Sequence, residues 1–383
     1  MFRLMKTVFL VERKNLKFKS IIFILILFII GSFVYLENSQ FRELEPGTAA
    51  EVVALNSALD QFRNVDATDS DVASPLYRNL ISQSSNLANR TLGLVMEDED
   101  TYIQGAIDLT EVRNEAYALD GFEEVAQFIP AYRQNQLDAA LFTEIQTQEE
   151  RLLVDNSNFP TYIILFLFAL GYGWYLLVGI FSSDILLDET NHKSLVNGYP
   201  LSTASKLFAK LLSYFLFIFF CLVLTFTIAI TSAAIIYNMD LSYPVALFNG
   251  NYPAIPVWQY IGIAFLYLLC LSLVAIAISI LLNYCFKNLY IIIFVHFFVF
   301  FIVYLLPDLG KWMSFLPFNY LNFQTVADGS VAEITGNAAI TLSNGFLTLL
   351  LSLLVIFLFI YWQFHRSQTK ESRLKDDKGG RMS

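Results

Sequence analysis

The sequence predicts an all-α membrane protein with six transmembrane helices, an N-terminal amphipathic interfacial helix and a helical extracellular domain between the first two spans. Composition is the first reason. Of 383 residues 56% are hydrophobic and only 15% charged, with a mean hydropathy of +0.54, whereas soluble domains carry about 25% charge. The second is the gathering of apolar residues into runs of 17 or more positions without Asp, Glu, Lys or Arg, longer than ordinary core helices need. The third is charge asymmetry. Residues 37–158 hold 7 Arg, no Lys and 23 Asp plus Glu, a net of −16, against +6 for the rest and −10 overall. These features exclude a soluble enzyme, a secreted domain and a nucleic-acid binder.

Residues 1–19 form the first element. Arg3, Lys6, Arg13, Lys14 and Lys17 fall within one 100° arc at helical spacing, and Phe2, Met5, Val8, Phe9, Val11 and Leu16 occupy the other side. Such a helix lies in the inner membrane face, with its basic side toward anionic headgroups. The apolar run 20–36 follows and reads as a retained anchor, because VYLENSQ offers no small-x-small cleavage site.

Residues 37–158 are too long for a loop and read as an acidic helical domain. Ser74-Pro75 is a cap followed by proline at the first helical position. Leu76, Leu80, Leu87 and Val95 then keep roughly helical spacing, and Asp120 with Glu123 resembles a capping box. Phe122, Val125, Phe128 and Ile129, then Leu137, Leu141, Ile145 and Leu152, complete the apolar pattern.

The remaining spans are expected at 160–183, 211–237, 258–284, 289–307 and 344–363, within a membrane region of 159–363 that ends in a basic tail, 364–383. Each is about 17–27 residues, enough for about 30 Å of hydrocarbon. Six basic residues in 1–19 and six in 364–383 put both termini in the cytoplasm. The polar loop 184–210 then faces the cytoplasm, and 238–257 and 308–343 face outward. The expected location is the bacterial plasma membrane.

Chemistry-bearing residues are few. Cys221, Cys270 and Cys285 sit in or beside apolar runs, which speaks against a disulfide framework, and no Cys/His spacing suits zinc. No G-x-x-x-x-G-K-[ST] phosphate loop is present. None of the six spans contains Asp, Glu, Lys or Arg, so ion-coupled transport and intramembrane hydrolysis lack their usual groups. His296 is the strongly polar titratable side chain at depth. It reads first as a neutral histidine bonded across helices and second as a substrate contact. Tyr172, Trp174 and Tyr175 in GYGWYLLVG read as helix packing or, alternatively, as a path for an amphipath.

The segment 181–210, FSSDILLDETNHKSLVNGYPLSTASKLFAK, predicts a short amphipathic helix. Ile185, Leu186, Leu187, Leu195 and Val196 are its apolar contacts, and Asn197-Gly198 and Tyr199-Pro200 stop it. Its apolar side needs another surface to cover it. An acidic pair, then Pro-x-Ser, then spaced lysines, here Asp188, Glu189, Leu195, Pro200, Ser202, Lys206 and Lys210, resembles the first cytoplasmic loop of type-two ATP-binding-cassette exporter permeases. Asn191-His192 replaces the usual Gly-Thr and Thr203 the common Arg. The six-span plan and FLPFNYLN (315–322), which looks like the family's reentrant outer segment, extend the resemblance over about 260 residues; the acidic domain is an insertion relative to compact members.

The resemblance implies a permease half that catalyses nothing itself. It would pair with a second permease, identical or a paralogue, sit among membrane lipids and be driven by separate cytosolic ATPase subunits that bind ATP and Mg. Asp184, Ile185, Leu186, Leu187, Asp188, Glu189, Leu195, Pro200 and Lys206 would form the ATPase-coupling loop, and Tyr172, Tyr175 and His296 would be candidates for the substrate path. The cargo would be an amphipath: a peptide, an antimicrobial peptide or a lipid. Two rivals stand beside it. One is a non-transporting sensor or scaffold whose acidic domain binds a signal. The other is a membrane enzyme, disfavoured by the uncharged spans, with His192, His365 and inner carboxylates as its cytoplasmic candidates.

Overall fold

The structure is a computed structural model and describes residues 16–62, 74–187 and 203–379. Most of the expected interfacial helix, 1–15, and the loop positions 188–202 lie outside the described residues. The chain is a multi-pass membrane protein built almost entirely of helices.

Helix α1 (Leu16–Asn38) shows how a span is read from burial. Phe18, Ile21, Leu25, Ile29, Ser32 and Leu36 are buried at spacings of three and four, while Phe23, Ile24, Leu27, Ile30 and Val34 are exposed. An apolar stripe of that extent is stable only against hydrocarbon. Four more helices are long and apolar enough to cross a membrane: α7 (Phe159–Ser182), most of α8 (Thr203–Tyr237), α9 (Val257–Phe286) and the first half of α14 (Leu342–Gly379). Helices α7 and α9 are the inner pair, with α1, α8, α14 and the next helix around them.

That next helix, α10 (Leu289–Leu305), occupies most of the expected span at 289–307. Its 17 residues rise about 26 Å, at the lower end of what crosses a hydrocarbon core. Pro307 is the reason. A residue before proline is pushed out of the helical region, and Leu306 adopts φ −135°, ψ 67°, so a new helix, α11 (Pro307–Trp312), starts there. Among the described residues five helices have the length and hydropathy of a full span, and α10 is a shorter apolar helix. Helix α14 in turn carries the expected basic tail as a continuous helix to Gly379.

One short hairpin accompanies the helices and leaves the all-α expectation standing. β1 (Pro244–Ala246) and β2 (Ala254–Pro256) pair antiparallel, Val245 opposite Ile255. Gly250 at φ +88° turns the hairpin. FLPFNYLN becomes a 3-10 turn, Pro317–Tyr320, followed by α12 (Phe323–Ala327) and α13 (Ser330–Thr335). Its Asn319, Tyr320, Leu321 and Phe323 are fully buried, and the Tyr267 hydroxyl donates to the Tyr320 carbonyl at 2.9 Å.

The polar domain between α1 and α7 comprises α2 (Leu44–Asp60), α3 (Pro75–Val95), α4 (Glu99–Ala116), the single turn α5 (Phe122–Val125) and α6 (Tyr132–Gln148). Ser74 caps α3 as expected, its Oγ accepting from the Tyr77 amide at 3.2 Å, with Pro75 in the first turn. Asp98 caps α4 in the same way through Thr101. The capping box at Asp120 does not form: Gly121, at φ +83°, is the N-cap of α5 and no side chain caps it. The tight return from α4 demands a left-handed residue, which only glycine adopts freely.

Helices α3 and α4 form a close hairpin. A Cβ on Gly105 would sit 2.9 Å from the Arg90 amide nitrogen, so the helices meet backbone to backbone. Leu76, Leu80 and Leu87 are buried with Leu55, Leu109 and Val125 in a core private to this domain. Val95, expected on the same stripe, is 76% exposed. The far side of the domain has no separate core: Tyr102, Ile103 and Phe142 join Leu36, Phe159 and Tyr162 in the main cluster of the bundle.

Candidate functional site

Three polar constellations interrupt this apolar protein. The first lies where α7 ends. Asp184, just beyond the helix, is paired with Lys17 at the start of α1, 167 positions away in sequence. The Lys17 ammonium also donates to the Tyr214 hydroxyl at 2.8 Å and lies 4.8 Å above that ring and 5.1 Å above Phe181. Lys210 in α8 donates to the Ile185 carbonyl at 2.9 Å. Three helices are therefore tied to one short stretch of chain. The pair is partly withdrawn from water, with side-chain exposures of 23% and 35%, and has aromatic walls, so it is less screened than a surface pair.

This geometry revises the expected coupling helix. Ile185 and Leu186 are 1% and 7% exposed and belong to the main core, so they hold the chain to the bundle instead of offering an apolar face. Asp184 is not a solvated charge but half of the lysine pair. Leu187 is half-buried. Asp188, Glu189, Leu195 and Pro200 lie outside the described residues, and for Lys206 the described part is its place in the first turn of α8.

The second constellation is a buried seam across α7, α9 and α10. The Tyr175 hydroxyl is 3.0 Å from His296 Nδ1, Ser279 Oγ is 2.8 Å from His296 Nε2, and Ser182 Oγ is 2.7 Å from Ser279 Oγ. Asn283 donates to the Ser183 and Ser279 carbonyls, both at 2.8 Å. Gly179 lets the imidazole lie against α7: a Cβ there would stand 2.8 Å from Nδ1. With a hydroxyl at each ring nitrogen, a neutral imidazole has both its donor and its acceptor satisfied. Of the expected path residues, Tyr175 and His296 are thus brought together and fully buried, in a closed seam. Tyr172 stands apart, 42% exposed, its ring edge-on to Phe300 at 6.1 Å. Trp174 packs helices, its indole N–H donating to the Leu268 carbonyl and Ser272 Oγ at 3.0 and 2.8 Å.

The third constellation joins the polar domain to the bundle. Arg133 in α6 spans Glu333 at 3.0 Å and Asp328 at 3.4 Å. Beside it a cavity of about 170 Å³ is lined by Arg42, Arg133, Asp138, Phe168, Tyr260 and Gln324, among others. Burial pushes the Asp138 carboxyl up to about 6, although the Gln134 amide, at 2.8 Å, pulls the other way. Deeper in the domain Glu51 accepts from Arg90 and Arg113, each at 2.8 Å, and Arg90 also reaches Thr48 at 3.0 Å. Burial alone would raise the Glu51 carboxyl. The two guanidiniums outweigh it and hold Glu51 below the usual carboxylate range.

Sequence reasoning passed over Arg133, Glu51, Ser279 and Asn283, and it placed Lys17 on a headgroup-facing stripe instead of against Asp184. A lysine opening one span and an aspartate closing the next were the available signal for the first pair. The others face partners tens to hundreds of positions away. Among the described residues no three His, Cys, Asp or Glu side chains lie together as metal ligands do. Set against known proteins, the chain matches no family model, no curated protein and no solved structure.

Proposed function

We propose that the chain is the membrane permease subunit of an ATP-driven exporter, moving an amphipathic substrate out of or across a bacterial plasma membrane. Separate cytosolic ATPase subunits supply ATP and Mg chemistry, and a second permease completes the assembly. In this reading α10 also crosses the membrane, as the fifth of six spans, both termini are cytoplasmic and the polar domain is extracellular. The short helices from α11 to α13 return the chain at the outer face before α14.

The observation that carries the reading is the anchoring of residues 183–187. The loop between α7 and α8 begins in a knot that binds α1 through Lys17 and α8 through Lys210. A displacement of that loop by a partner is passed to three membrane helices at once, which is what mechanical coupling requires. The uncharged spans and the lack of a phosphate loop fit a permease that borrows its energy source.

The test is affinity capture of the tagged chain from its native membrane in mild detergent, with mass spectrometry and an ATP-turnover assay. The expected result is a stoichiometric P-loop ATPase that is lost on Leu195→Asp. With Lys17→Met the ATPase stays bound but substrate no longer stimulates turnover. A pure chain with no ATPase and no nucleotide dependence refutes the proposal and favours the sensor.

A further inference from the structure

We propose that the polar domain carries a groove for a cationic amphipathic peptide, along the seam of α2 and α3 and around the turn into α4. The proposal rests on the export reading, and it deepens that reading by naming the substrate class and the place of first contact.

Two depressions of about 410 and 620 Å³ share Val52, Thr91 and Val95 in their linings and so form one groove. Its floor is apolar, built from Leu55, Leu87, Tyr102 and Leu152. Its lip is apolar too. Leu92 is 51% exposed and Val95 76%, with Met96 beside them at 68%. Helical periodicity would have buried Val95; the structure leaves it 76% exposed, lining both depressions. Exposed apolar side chains grouped around a hollow mark a binding surface.

The rim decides the occupant. Glu45, Glu97, Asp98 and Glu99 surround the larger depression, and its one basic side chain, Arg151, lies 3.5 Å from Glu99. The whole segment 37–158 has a net charge of −16. A second copy of this face would set like charges against each other, and anionic lipid headgroups are repelled in the same way. Asp98 is engaged with Thr101 and Glu99 with Leu152 and Arg151, but a neutral apolar ligand would make no use of Glu45 and Glu97. A peptide with an apolar face flanked by Lys or Arg satisfies floor and rim together. From Ser84 to Val95 the groove wall rises about 17 Å, which accommodates about three turns of a bound helix.

The experiment uses the full chain in lipid nanodiscs without nucleotide. The probe is a fluorescein-labelled amphipathic helix composed of Leu and Lys, and the control is the same peptide with Glu for Lys. Fluorescence anisotropy is expected to show binding of the Lys probe alone, weakening as salt rises. Glu45→Lys with Glu97→Lys is expected to weaken it about tenfold at low salt. Leu92→Ser with Val95→Ser, which removes exposed groups and leaves the core intact, is expected to do the same. Equal binding of both probes, or binding unaffected by either pair of substitutions, overturns the proposal. So does a groove found by cross-linking to hold a second copy or another segment of this chain. The two readings separate cleanly. If the Lys probe binds the groove but no ATPase is captured, the groove stands and export falls; an ATPase partner with an indifferent groove is the reverse.

Discussion

Replacing Glu51 by Gln tests how the polar domain is held together. Glu51 on α2 is the shared acceptor for Arg90 on α3 and Arg113 on α4, each at 2.8 Å, and the two arginine side chains are only 7% and 4% exposed. Glutamine keeps the shape but leaves two buried guanidiniums facing each other without their bonded countercharge, Asp138 being the remaining acidic neighbour. Breaking a buried ion pair costs about 3–5 kcal/mol. Glu51 itself is 27% exposed, so water softens the loss and the lower end, about 3 kcal/mol, applies. That is roughly a 150-fold increase in local opening. The assay is amide hydrogen exchange by mass spectrometry on the full chain in detergent. Peptides from α2 are expected to exchange roughly 100-fold faster, while those from α7 and α9 stay unchanged.

The pH dependence follows in sign. A carboxyl held below its unfolded value contributes fully above that value and loses the contribution as pH falls through the folded one. The wild type should therefore keep its advantage over Glu51→Gln at neutral pH and forfeit it only in acid. Restoring stability by Arg90→Met with Arg113→Leu in the Gln background would support the charge argument. If Glu51→Gln exchanges like the wild type at neutral pH, the network is ornamental and the reasoning fails.

Asp138 makes the opposite prediction. Its carboxyl is raised to about 6, so ionising it costs stability as pH rises through that value. Asp138→Asn should raise the melting temperature at pH 7.5, by about 1–2 kcal/mol of stabilisation, and leave it unchanged only near pH 3, below the ordinary carboxylate value of about 3.9; a gain equal at both pH values counts against it. Leu186→Asp buries an unpaired charge in the bundle and should abolish folded protein in fluorescence-detected size exclusion, whereas Leu187→Asp should be tolerated. Equal behaviour of the two would return Leu186 to a docking role. His296→Leu strands the Tyr175 hydroxyl and should cost about 1–3 kcal/mol in thermal unfolding. Adding Tyr175→Phe should recover part of it, and strictly additive losses would show that the seam is not a connected network.

Much of this was written along the chain. Uninterrupted apolar runs mark the spans because hydrocarbon accepts no unpaired backbone, so a span must be both helical and apolar throughout. Ser74-Pro75 marked a helix start because capping is a contact between near neighbours. Local rules failed where two local preferences competed. Pro307 ended α10 within an apolar run that hydropathy alone extends, and Gly121 displaced Asp120 as a cap.

The stretch 183–187 shows the division most clearly. By itself the sequence determined a membrane protein with an acidic helical domain inserted after the first span, since composition, hydropathy and charge sign need no partner residue to be read. It could not determine that Ile185 and Leu186 are buried in the bundle, because the core they join is assembled from helices distant in sequence. Nor could it pair Lys17 with Asp184, Glu51 with two arginines, or leave Val95 beside an open groove. Those outcomes depend on which helix lies next to which. Only the tertiary structure decides that, by bringing together groups 39 to 167 positions apart whose attraction no periodicity records.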